Sequence, residues 1–248
     1  MAESAPATKK VSTSETGHAK NVANFGKACS VVEGYGSLYN PTVASITLAA
    51  LRTQKTGLDG VMVKYTIAVM PFKNAVNRRQ EGFDGMDKLT TRAMNALLVV
   101  GTAREIADAR GMVAKIKGGG KKLKAEDAAD AAKPRSTSQR SYDMRVDNFR
   151  AFVAFLAGVP AYKPNEAALQ IASLNQYIGT LPALSENVNK TAAVLANARA
   201  ERNKLLYAPG TGAVPVSVKV KAYVRSLYGA ASPEYKRFAK IELRSQKV

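Results

Sequence analysis

Asn21-Val22-Ala23-Asn24-Phe25 returns as Arg145-Val146-Asp147-Asn148-Phe149, and the same displacement recurs outward from this pair. Tyr39-Asn40-Pro41 is answered by Tyr162-Lys163-Pro164, and Thr66-Ile67-Ala68-Val69-Met70 by Thr191-Ala192-Ala193-Val194-Leu195. Val113-Ala114-Lys115-Ile116 is answered by Phe238-Ala239-Lys240-Ile241, so the offset stays between 123 and 125 throughout. Two such matches arise by chance. Four in order at one spacing indicate tandem duplication of a unit of roughly a hundred residues, an ordinary domain size.

The apolar spacing says what the unit is made of. Ala167, Ile171, Leu174, Ile178, Leu181, Leu184, Val188, Thr191, Leu195 and Ala198 advance by steps of four and three, the seam of a long helix packed in a bundle. In the first copy the seam runs through Val43, Ile46, Leu51, Leu58, Val63, Thr66 and Met70. Pro182 is expected to divide or bend the second helix, and Pro71 to kink or restart the first near Met70, because proline removes a hydrogen bond and crowds the preceding turn. Thr102 and Glu105 have capping-box spacing, and Ser232-Pro233 reads as a cap with proline at the first helical position. Val214-Pro215-Val216-Ser217-Val218-Lys219-Val220 alternates like a strand, but it aligns with the helical stretch from Leu89 to Met94 and is assigned to helix. The expected fold is all-α, two tandem-duplicated helical bundles of about four helices each, with either two cores or one shared core.

Composition places the boundaries. Residues 1–19 offer little to bury and read as a mobile leader; 20–117 form helical repeat 1; 118–144 a linker; and 145–248 helical repeat 2. The linker opens on Gly118-Gly119-Gly120 and mixes Lys121, Lys122 and Lys124 with Glu126, Asp127 and Asp130 before Pro134, without apolar periodicity. The N-terminus lacks a signal-peptide core, and no window approaches the roughly 18 apolar residues of a membrane span, so the expected compartment is the cytoplasm.

The run Glu15-Thr16-Gly17-His18-Ala19-Lys20-Asn21-Val22-Ala23-Asn24-Phe25, the Tyr-x-Pro after each first helix, and Ser232-Pro233-Glu234-Tyr235-Lys236 carry a resemblance. The chain resembles uncharacterised two-repeat helical hypothetical proteins of Bacteroidota bacteria, over about 225 residues. The resemblance implies the two-copy helical arrangement and a bacterial setting. It implies no activity.

Candidate chemistry is sparse. A single cysteine, Cys29, excludes an internal disulfide and a cysteine-based zinc cluster within one chain, and its counterpart Val153 makes it a small core residue. A single histidine, His18, excludes catalytic pairs of histidines; a capping or packing role is expected of it. Glu81, Asp84 and Asp87 lie close together, but Gly82 and Gly85 make a solvated loop the expected setting rather than a cation site. Gly118-Gly119-Gly120-Lys121-Lys122 lacks the spacing of a phosphate-binding loop. No cofactor, no metal and no enzymatic activity are expected.

Charge is the remaining functional signal. Thirty-seven basic and 19 acidic residues give +18, divided as +1 over 1–20, +6 over 21–117, +2 over 118–144 and +9 over 145–248. The excess therefore sits on both repeats and not in a tail. A field of this size draws anionic partners, DNA or RNA first among them. Near the end, aromatic and basic residues interleave, and Lys219, Lys221, Arg225, Lys236, Arg237, Lys240 and Arg244 are the candidate nucleic-acid-binding residues, able to neutralise phosphate beside rings that could stack bases. The expected function is that of a non-enzymatic basic helical binding or scaffold protein without sequence specificity. The alternative is a structural, self-associating component of a larger complex, since duplication gives one chain two equivalent surfaces.

Overall fold

A computed structural model describes residues 17–117 and 141–246, and among these all regular structure is helical. Helix α1 (His18–Glu33) buries Val22, Phe25, Ala28, Cys29 and Val32, a stripe at steps of three and four. Helix α4 (Tyr142–Ala157) buries Val146, Phe149, Phe152, Val153 and Leu156 in the same way. After each comes the Tyr-x-Pro segment, a 3-10 turn (Ala44–Ile46 or Ala167–Leu169) and a long helix, α2 (Leu48–Val100) or α5 (Ile171–Tyr207). The tyrosines account for the motif: Tyr39 donates its hydroxyl hydrogen to the Ile46 carbonyl at 2.7 Å, and Tyr162 to the Leu169 carbonyl at 3.1 Å. Both rings are buried, so each O–H needs an internal partner, and desolvation pushes both phenols above their ordinary pKa, Tyr39 strongly.

Several local expectations hold. Thr102 and Glu105 form the capping box ahead of α3 (Ala103–Lys117): Glu105 accepts from the Thr102 amide at 2.7 Å, and the Thr102 hydroxyl accepts from the Glu105 amide at 3.3 Å. Val214–Val220 lies inside helix α6 (Ala213–Tyr228), because burial of Val216, Val220 and Val224 on one side outweighs β-branched propensity. Ser232 caps α7 (Pro233–Ala239), accepting from the Tyr235 amide at 3.1 Å. The first helix of each stretch begins slightly earlier than composition implies: α1 begins at His18, and Ser141, accepting from the Met144 amide at 3.2 Å, starts α4 before residue 145. Residues 1–16 of the leader and 118–140 of the linker lie outside the described residues.

Other expectations are corrected. Of the forms expected at each proline, restart of α2 at Pro71 and division of α5 at Pro182 are overturned, since both helices run on through these residues. Both prolines are on exposed faces, away from the buried stripes of their helices. Nor do Glu81, Asp84 and Asp87 lie in a loop; they belong to α2, held by the buried Phe83 and Met86. Gly82 and Gly85 serve packing there. A Cβ on Gly82 would stand 2.5 Å from Leu184 Cδ1 and one on Gly85 3.3 Å from the Tyr177 hydroxyl, which donates to the Gly82 carbonyl. At the corresponding place in the second stretch the chain does turn, through Gly210 (φ 75°), before α6 begins.

The compact units do not follow residues 20–117 and 145–248. One takes its described residues from Met1–Val69 and Val194–Val248, the other from Met70–Ala193. In the first, Phe25, Leu51 and Leu58 share a core with Leu206, Val216, Val220, Val224 and Phe238. In the second, Phe83, Met86, Leu97, Ala109 and Ile116 share a core with Phe149, Phe152, Leu156, Leu174 and Leu181. Thus α1 packs on α6, and α3 packs on α4. The physical reason lies in the long helices: the buried stripe of α2 continues past Ala68 through Ala75 to Leu97, so its later part carries its own apolar face to a different core.

Candidate nucleic-acid interface

Helices α6 and α7 form the candidate surface within the first unit. Along α6, Ala213, Val216, Ser217, Val220 and Val224 turn inward, which leaves Val218, Lys219, Ala222, Arg225 and Ser226 outward. Gly229, at φ 81°, ends the helix in a conformation that side chains resist, and the chain restarts at the Ser232 cap. Phe238, 2% exposed, anchors α7 in the core. Between the two helices lies a groove of about 510 Å³ lined by Val218, Lys221, Ala222, Arg225, Ser226 and Tyr235. An aromatic ring and two cations flank an apolar floor there, the combination that suits a base beside a phosphate.

The seven candidate residues do not act as one cluster. Lys221 and Arg225, a helical turn apart, are brought together with Tyr235 at the groove, and Lys221 is half-buried, donating to the Ala239 carbonyl at 3.4 Å. Lys219, two positions from Lys221, lies on another side of α6 and donates to the Gly210 carbonyl at 2.9 Å. Lys236, Arg237 and Lys240 are exposed on and just after α7. Arg244 belongs elsewhere. Its amide donates to Asn21 Oδ1 at 2.9 Å while Asn21 Nδ2 donates to its carbonyl at 2.7 Å, and its guanidinium pairs with Glu242 at 3.1 Å. Its backbone ties the C-terminal segment to α1, and its charge is already met.

Charge is unequal between the units. The described residues of the first carry 15 basic and five acidic side chains, a net +10; those of the second carry 13 and nine, a net +4.

Three features of this kind escaped the sequence reading. Arg202 is 7% exposed, with its guanidinium 4.7 Å from the centre of the Tyr65 ring and hydrogen-bonded to Asn203 Oδ1 at 2.8 Å. Burial, joined by the nearby charge of Arg202, lowers the pKa of His18. Arg79 stacks on Tyr142 at 4.1 Å, which makes it a packing residue rather than a free cation. A second groove of about 430 Å³ is lined by Gly57, Gly60, Val61, Lys64, Glu201 and Lys204 among others, with Lys64 and Glu201 paired at 2.9 Å. No spacing rule would have found these, because each depends on which helices meet.

Cys29 is buried, and burial raises its thiol pKa, so it has the character of a core residue. Among the described residues no group of three or more His, Cys, Asp or Glu side chains could hold a metal ion, and no helix is long and apolar enough to cross a membrane. The chain matches no protein-family model, no curated protein and no solved structure.

Proposed function

We propose that the protein is a non-enzymatic, duplicated helical binding protein that engages nucleic acid without sequence specificity through the α6–α7 surface. The observation that carries this reading is the groove in which Lys221, Arg225 and Tyr235 converge, within the unit of higher positive charge and beside the exposed Lys236, Arg237 and Lys240. Phosphates would lie against the cations and an unstacked base against Tyr235. A single-stranded ligand fits this use better than a duplex, whose bases are already stacked. Duplication is part of the proposal, supported by the recurrence of the Tyr39 and Tyr162 hydrogen bonds 123 residues apart.

The test is binding of a mixed-sequence oligonucleotide, followed by fluorescence anisotropy from about 50 to about 200 mM salt, the range over which phosphate contacts lose most affinity. Log affinity should fall linearly with log salt, and Tyr235→Ala should weaken single-stranded more than double-stranded binding. Undetectable or salt-insensitive binding overturns the reading.

A further inference from the structure

The way the two cores are assembled points to a partner. Each core takes one part from residues 17–117 and the other from 141–246: α1 and early α2 meet late α5, α6 and α7, whereas late α2 and α3 meet α4 and early α5. The aromatic contacts repeat this. His18 meets Tyr207 with ring centres 5.6 Å apart, and Tyr142 meets Phe83 at 4.6 Å. Polar contacts do so as well, with Arg145 pairing with Asp87 at 2.7 Å and Asn21 with Arg244. The buried apolar residues of 17–117 are therefore packed against those of 141–246, and the reverse.

We propose that the chain self-associates by exchange, residues 17–117 of one copy pairing with 141–246 of a second copy and the reverse. Every interior contact of the exchanged dimer already exists in the single chain, so no new surface has to evolve and only the concentration term separates the two forms. That term is the effective concentration of one half for the other within a single chain, on the order of millimolar for tethered modules in general. Exchange should therefore be rare in dilute protein and frequent when chains refold at high concentration. The proposal stands apart from nucleic-acid binding, and either can fail alone.

The Arg145–Asp87 pair makes the exchange testable in full-length protein. Arg145→Asp leaves two facing carboxylates in one chain, and Asp87→Arg leaves two facing guanidiniums. An exchanged dimer of the two variants restores an opposite-charge pair in both of its copies of this unit. After joint refolding at about 1 mM, native mass spectrometry should find the mixed dimer enriched on the order of tenfold over either variant's own dimer, as coupled charge pairs allow. The chain carrying both substitutions should behave as wild type. Dimers that combine the two variants statistically would overturn the proposal, as would a mixture that stays monomeric. Should either variant fail to fold, heavy- and light-isotope wild-type chains refolded together must give mixed dimers that separate only on unfolding. Monomer at every concentration, or mixed dimers that part on simple dilution, would overturn it equally.

Discussion

His18 Nδ1 lies 2.7 Å from the hydroxyl of Tyr207, a residue 189 positions along the chain, and Asn21 Nδ2 donates to that same oxygen at 3.2 Å. The arrangement suits a neutral imidazole. Tyr207 accepts from Asn21 and, with the imidazole hydrogen on Nε2, can give its own to Nδ1, while burial and the positive charge of Arg202 both disfavour the imidazolium. A base whose pKa is lowered in the fold binds fewer protons folded than unfolded. The His18 contribution is therefore complete above its ordinary pKa of 6.5 and is lost as pH falls below that value. Denaturant unfolding at pH 7.5 and 5.5 should show this loss for wild type and a smaller one for His18→Gln; an equal loss in both would place the titration elsewhere.

Cutting the chain tests how the cores are assembled. With a specific protease site inserted between residues 118 and 140, cleavage should leave two fragments that elute together and keep their helix content, since each core needs both. Denaturant should be required to part them. Two fragments that separate and remain folded would show that each half is self-sufficient.

The helical class, the caps at Thr102 and Ser232 and most of the inward stripe of α5 were legible because they depend on neighbours three or four residues away, whereas of the seam expected for α2 Ile46, Leu51 and Leu58 are buried but Val43, Val63 and Met70 are exposed. The pairing of α1 with α6 was not legible. A stripe such as Val22, Phe25, Cys29 and Val32 declares that a face is buried and is silent about which helix covers it. The same limit applies to the site: Lys221 and Arg225 are plainly on one face, but Tyr235 joins them only through the turn at Gly229, and Arg244 was assigned to a surface because its bond to Asn21 spans 223 residues. Gly82 and Gly85 read as loop formers because their need for small size comes from Leu184 and Tyr177, on another helix.

Tyr39→Phe and Tyr162→Phe should have similar costs. Each removes one hydroxyl from a buried ring and leaves a carbonyl, of Ile46 or Leu169, without its donor. Such losses cost about 1–2 kcal/mol. Urea unfolding checks both, and a negligible cost at one site would break the equivalence of the two motifs.

Two glycine substitutions should move stability in opposite directions. A Cβ on Gly60, within α2, meets nothing within 4 Å, so Gly60→Ala should stabilise by up to about 1 kcal/mol through helix propensity. On Gly212 it would stand 2.6 Å from the Ala208 amide nitrogen and 2.8 Å from the Leu206 carbonyl oxygen. Backbone cannot swing aside, so Gly212→Ala should destabilise by about 1–3 kcal/mol. The midpoint of thermal unfolding reads both, and a stabilising Gly212→Ala would contradict the close approach.

The strongest test of the proposed surface compares two triple substitutions of equal charge. Lys236→Gln, Arg237→Gln and Lys240→Gln together remove three exposed cations on and beside α7, adjoining the Tyr235 groove. The control must spare packing residues. Arg79 is unsuitable because it stacks on Tyr142, so Arg78, Lys88 and Arg92, all exposed on α2, are neutralised instead. Both sets lower the total charge by three, and any difference reports position rather than net charge. The α7 set should reduce the slope of log affinity against log salt by up to about three units and the α2 set by less than about one, with helix content unchanged in both. Equal reductions would mean that the overall field of the chain, and not the surface of α6 and α7, holds the ligand.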